Sequence, residues 1–279
     1  EVAAKALDFA AAQQLIRLNY ERLPNIESQG LLLAGVGLLH RQHKVDFEKA
    51  KEIFEHLAER HPKNPLPYTW LAAWRVFNVT QSWFNDFETE SRIAVSYAER
   101  ALDLNAEAPL AHSVRGLVAT NFERQFDVAE RHFESALKVD DCDAMAWLHR
   151  GVSNAFIGDG DVAVKYTTEA RRLSPLDPWR YYFDSLAASA AFAAADYKLA
   201  VECGLASLRA NRFHLSTLRV LAMSYAELGD QKAACAYLER VLVAEPTLTV
   251  SRYLQRSPSA GSPMAMKCAN ALRKAGLTE

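Results

Sequence analysis

The chain has 279 residues, half of them hydrophobic and 24% charged, so it is long enough for a large core and too apolar for wholesale disorder. Lys and Arg total 32 against 34 Asp and Glu, for a formal net charge of −2. That balance lacks the basic excess of a nucleic-acid binder and the polybasic cluster of a protein held at a lipid surface, so neither is expected as a direct partner.

In chain order, residues 1–20 read as an amphipathic helix, already in rhythm at Glu1 and without an initiating Met, as in a segment of a longer protein. The longest uncharged apolar run, Gly30 to Leu39, is half the ~20 residues a membrane helix needs, so no insertion into a membrane is expected. From residue 31 onward, helical patterns come in pairs punctuated by glycine and proline, and no stretch alternates like a strand. The clearest pair begins at Ala144 and reads AMAWLHRGVSNAFIGDGDVAVKYTTEARRLSP. Trp147, Gly151, Gly158, Ala163, Ala170 and Pro175 fall at its positions 4, 8, 15, 20, 27 and 32. Another, from Leu215, has Tyr225, Gly229, Ala234 and Pro246 at positions 11, 15, 20 and 32. These are signature positions of the tetratricopeptide repeat, a helix–turn–helix unit of about 34 residues.

The small residue at position 20 recurs at Ala50, Ala94, Ala129, Ala163, Ala200 and Ala234, with spacings of 44, 35, 34, 37 and 34 residues. Six units in one frame predict an all-α fold: a right-handed superhelix of about six helical pairs over residues 31–248. Residues 1–20 and 249–279 are expected to cap its ends, and the whole chain to form one domain. Small residues at positions 8, 20 and 27 let the paired helices approach, glycine at 15 permits the turn, and proline at 32 stops the second helix. One hairpin cannot bury its apolar face alone, so stability must come from stacking.

Two departures stand out. The 44-residue spacing reflects an insertion, FNVTQSWFNDFETESR at 77–92, whose Gln81, Trp83, Phe84 and Phe87 are candidates for a binding face. The fifth unit carries three extra residues, placed by its alanine runs at 185–197, after the aromatic group Trp179, Tyr181, Tyr182 and Phe183.

The stretches HRQHKVDFEKAKEIFEHLAERHP, WLAAWRVFNVTQSW, RRLSPLDPWRYYF and LTVSRYLQRSP…ALRKAGLTE resemble the C-terminal tetratricopeptide region of bacterial signalling proteins. In that group the region follows a class III adenylate or guanylate cyclase domain or a winged-helix DNA-binding domain. The resemblance, from about His40 to Glu279, implies a sensory or interaction region without catalysis of its own. The group's insertion more often reads QGW than the QSW found here, so the turn is expected to bend differently if glycine matters there.

Other chemical motifs resolve into structural ones. His40 and His43 share a helix end but lack a third metal ligand, and no cofactor is expected. GDGD at 158–161 begins like a calcium loop, lacks the closing Glu, and fits a repeat turn. Gly35 and Gly37 follow no strand and so form no nucleotide loop. Four cysteines at no metal-binding spacing read as small core residues, and their lack of obvious pairing favours a cytoplasmic location over a periplasmic one.

Binding is therefore the expected role, on the concave face made by the first helix of each pair. Inward positions project Tyr68, Arg75 and Asn78 from the second unit, Asn121 from the third, and His149 and Phe156 from the fourth. Tyr182 comes from the fifth unit and Arg219 from the sixth, with Gln81 and Trp83 of the insertion at the rim. This apolar and aromatic face with two cations suits a peptide, a protein segment or a small amphipathic anion. Arg75 and Arg219 would bind a carboxylate or phosphate, unless acidic neighbours already pair with them. Homo-oligomerisation, two copies meeting through the concave face or an edge helix, is the alternative.

Overall fold

The computed structural model describes residues 23–279, so the predicted helix at 1–20 lies outside the described residues. Among the described residues there are fourteen α-helices and no strand. They pair in order: α1 (Ile26–His40) with α2 (Lys44–Arg60), α3 (Pro65–Thr80) with α4 (Phe87–Leu104), and α5 (Pro109–Val118) with α6 (Phe126–Val139). Next come α7 (Ala144–Ile157) with α8 (Gly160–Leu173), α9 (Arg180–Ala193) with α10 (Tyr197–Ala210), and α11 (Leu215–Glu227) with α12 (Gln231–Ala244). Two further helices, α13 (Val250–Arg256) and α14 (Pro263–Ala275), follow the sixth pair. The result is an α-solenoid of six hairpins.

Local chemistry sets the helix ends. Asp159, Asp196 and Asp230 each accept a hydrogen bond from a backbone N–H in the first turn of α8, α10 and α12, satisfying a donor that the helix leaves open. Asn64 and Asp143 do the same for α3 and α7. Gly158 and Gly229 sit at φ +94° and +81°, the left-handed turn expected of position 15. The third and fifth units put Arg124 (φ 56°) and Ala195 (φ 61°) at that same position. Within GDGD, then, Gly158 makes the turn, Asp159 caps α8, and Gly160 lies so close to the next turn that a Cβ there would stand 2.2 Å from the Ala194 nitrogen.

Small residues do allow close approach within the pairs. A Cβ on Gly116 would meet the Phe133 ring at 2.5 Å, and one on Gly151 would meet the Thr167 methyl at 2.6 Å. Phe133 of α6, against Gly116, and Phe54 of α2, against Gly35, are fully buried, each contributing roughly 2–3 kcal/mol by leaving water.

The irregular spacings have distinct causes. In the third unit a π-helical turn, Ala119–Glu123, extends α5, so Gly116 and Ala129 are 13 residues apart where Gly151 and Ala163 are 12 apart. The insertion at 77–92 is no long loop: α3 and α4 reach 16 and 18 residues and leave only 81–86 between them. The expected position of the excess in the fifth unit needs correction. Most of it precedes α9, where the connector 174–179 has six residues and the connectors 61–64, 105–108, 140–143 and 211–214 have four.

The solenoid winds tightly enough for its two ends to meet. His40 of α1 hydrogen-bonds through Nδ1 to the Tyr181 hydroxyl at 2.9 Å and stacks on Trp179 at 4.4 Å. The Gln81 side-chain oxygen accepts from the Leu215 N–H at 3.1 Å, capping α11, whose own N-cap residue His214 makes no such bond. The terminal segment turns back rather than continuing outward: Lys267 donates to the carbonyls of Phe192 and Ala193, and Arg124 to that of Gln255.

Candidate functional site

The winding turns the concave face into a cavity of about 150 Å³. Its walls are the first helices of units two to six: Val76 and Phe77 of α3, Leu117 of α5, Phe156 of α7, Leu186 of α9 and Val220 of α11 are representative. The fourth side is unexpected, since Tyr253, Arg256, Pro258, Met264 and Cys268 of the C-terminal segment close it. The predicted cap is thus also part of the cavity wall.

One end of the cavity is charged. Arg219 of α11 donates through Nη2 to the Thr80 carbonyl and the Ser82 hydroxyl, both at 3.0 Å. Glu245 lies 3.6 Å from Arg219, pairs with Arg256, and accepts from Ser82 at 2.8 Å. Side-chain exposure is 13% for Arg219, 17% for Arg256 and 8% for Glu245, so this is a largely dry network. Burial and the neighbouring Arg256 together lower the Arg219 pKa to about 10, despite Glu245. Burial pushes the Glu245 carboxyl upward, but the Arg256 hydrogen bond, with Arg219 and Ser82, holds it below its usual value. Two cations share one carboxylate, and the Arg219 Nε has no partner.

Ser82 takes φ 59°, the left-handed conformation glycine favours, and its hydroxyl ties the insertion to the sixth unit.

Behind one wall lies a buried polar hub. His149 bonds to Ser113 at 2.9 Å and to the Tyr182 hydroxyl at 3.3 Å, while His214 bonds to Thr217 at 2.8 Å and meets the Tyr181 ring edge-on. Burial lowers the pKa of His40, His149 and His214 to about 3 each, so all three are neutral at ordinary pH. His40 therefore belongs to this hub, and its neighbour His43 is an exposed residue at the start of α2.

Of the residues expected at the site, Asn121, Phe156, Tyr182 and Arg219 line the cavity together. The others lie elsewhere. Arg75 makes a two-pronged pair with Glu90 at 3.1 Å between α3 and α4, so its charge is already matched outside the cavity. Tyr68 packs beside Tyr97 on the same outer side. Trp83 meets the Phe47 ring edge-on within the first two units rather than folding over a groove. Asn78 and Gln81 are buried, Gln81 as the α11 cap, and His149 stands one layer behind the lining. The missed residues are Glu245, Tyr253, Arg256 and His214. For Tyr253 and Arg256 the RYLQRSP stretch at 252–258 is the available signal, since charged residues within a cap this short must fold onto something; Glu245 and His214 carry none. The cysteine expectation holds for buried Cys203 and Cys268 but not for exposed Cys142.

The comparisons agree with this architecture. The family described as Tetratricopeptide repeat matches residues 220–247, which is α11 and α12. The chain carries tetratricopeptide repeats. Human IFIT1, solved as a dimer with m7Gppp-AAAA, is similar in structure with a TM-score of 0.64 and 15% identity over 90% of this chain and 60% of that one. A chain of the APC/C Cut9–Hcn1 hetero-tetramer gives 0.59 and 16% over 97% of this chain and 46% of its own, so this chain spans about half its length. TTC0263 of Thermus thermophilus, a tetratricopeptide-repeat protein, gives 0.51 and 17% over 72% of this chain and 98% of that one. At such identities these neighbours share the fold alone, and no curated protein sequence matches the chain. Among the described residues, no helix of this tetratricopeptide solenoid is long and apolar enough to cross a membrane.

Proposed function

We propose that this tetratricopeptide solenoid is a non-catalytic binding module that encloses its ligand inside the superhelix instead of displaying an open groove to a long partner. The supporting observation is the cavity at the meeting point of five units and the C-terminal segment. A ligand there touches elements distant in sequence, so occupancy favours the closed superhelix over any more open winding by its differential affinity for the two. That coupling suits a sensor. The resemblance to regions attached to cyclase or winged-helix domains makes such a domain the effector of the parent protein. Native mass spectrometry of the purified chain, with and without a fragment library, tests the module itself. Retained or added small-molecule mass that disappears in Ser189→Phe, a substitution into the cavity wall, is the expected result. A chain that binds nothing small, and whose Ser189→Phe variant behaves identically, would overturn it. Light scattering of the same samples separates the module from a pairing scaffold, which would be a constitutive dimer in every condition.

A further inference from the structure

We propose that the ligand is a small monoanionic carboxylate carrying one apolar group of phenyl or short-acyl size, with the carboxylate on Arg219 and Arg256. This deepens the binding-module reading and rests on it. Size sets the first limit. An apolar cavity of about 150 Å³ accommodates about one benzene ring, which excludes a folded peptide or a nucleotide as the enclosed group. Wall chemistry sets the second: Val76, Phe77, Leu117, Phe156, Leu186 and Val220 offer no hydrogen bonds from their side chains, so that part of the ligand must be apolar.

Charge sets the third. The cations that reach the cavity, Arg219 and Arg256, share Glu245, leaving one positive charge in excess in a dry site. Nη2 of Arg219 is occupied by Thr80, Ser82 and Glu245, but its buried Nε–H has no acceptor. A buried donor without a partner costs on the order of 1–3 kcal/mol, and a turn of the guanidinium that brings Nε to a ligand carboxylate would recover it. The lowered pKa of Arg219 has the same origin, burial and Arg256 outweighing the help from Glu245. A single added anion neutralises the triad. A dianion would overshoot it and meet Glu245, so a carboxylate fits better than a phosphate monoester. Because Thr80 and Ser82 belong to the second unit and Arg219 to the sixth, the anion would also bind at the seam where the superhelix closes.

The experiment is calorimetric titration of the whole chain with phenylacetate and hexanoate, each against its uncharged amide. Both acids are expected to bind at least tenfold tighter than phenylacetamide and hexanamide, and the tighter of the two acids identifies an aromatic or an acyl group. Arg219→Met should abolish the preference for acid while weak amide binding persists, and Arg256→Met should reduce it. Ser189→Phe should remove binding of acids and amides alike. Amides binding as tightly as acids to the unaltered chain would overturn the carboxylate assignment and leave the enclosed cavity standing. That comparison needs no variant, so it decides even if Arg219→Met fails to fold. Absence of binding by all four probes would overturn the carboxylate proposal, and a fragment screen without hits would then remove the module reading as well.

Discussion

The fourth and sixth units differ from the second, third and fifth in one turn residue. Gly158 and Gly229 occupy the left-handed position without strain and without a side chain. Ser82, Arg124 and Ala195 take similar backbone angles in the other three, each at a cost of about 1 kcal/mol. Two of these three return something: Ser82 bonds to Glu245 and Arg219, and Arg124 reaches the Gln255 carbonyl. Two of these departures therefore sit where the solenoid binds its own later parts, Ser82 to the sixth unit and Arg124 to the C-terminal segment. Repeat regularity builds the stack, and irregularity closes it.

The largest test of this contrast is pH. Three histidines join units one, four, five and six, and each is neutral when folded, with a pKa near 3. Unfolded, each titrates near 6.5, so below that pH the unfolded chain binds more protons and stability falls. Their contribution is complete above pH 6.5 and is lost progressively toward pH 3. Between pH 7.5 and 5.5 the loss should be about 4 kcal/mol for the three together. Urea unfolding at the two pH values measures it, and equal midpoints would show that the hub opens to water.

Next in size is Gly160→Ala, at the seam between a regular unit and an irregular one. The new Cβ would meet the Ala194 backbone, which cannot swing away as a side chain can, so a loss of about 3 kcal/mol is expected in thermal or urea unfolding. Glu245→Gln should cost about 2 kcal/mol, since Arg219 and Arg256 would then face each other without a counter-charge in a largely dry site, with the Gln oxygen still there to accept. The same variant should bring the cavity's affinity for acids up relative to amides. Smallest is Ala195→Gly, where strain has no visible return: a gain of up to about 1 kcal/mol is expected, offset in part by unfolded-state entropy. The same change at Ser82 should show no such gain, because its hydroxyl bonds are lost with the strain.

Repeat periodicity made the hairpins legible because close helix packing demands small residues at near-regular intervals, and Ala94, Ala129 and Ala163, like Ala200 and Ala234, follow at 34 or 35 residues. Projection onto the concave face gave four residues that line the cavity, Asn121, Phe156, Tyr182 and Arg219, because each sits on the inner side of the first helix of its pair or its extension. It placed Arg75 without its partner because Glu90 belongs to the next helix and its approach depends on how the lengthened α3 and α4 pair. Trp83 was equally ambiguous: an aromatic in an insertion packs inward or lies over a groove according to which neighbour offers apolar surface, and Phe47 does so.

The sequence by itself determined the helices, their pairing and the turns between them, since each follows from contacts within about 34 residues. Only the tertiary structure decided that the concave face is closed. Small rotations between successive hairpins add up along a solenoid, and no local pattern reports their sum. That sum brings Tyr181 to His40, Leu215 to Gln81 and Glu245 to Ser82, across separations of 141, 134 and 163 residues, and so sets the shape and charge of the cavity.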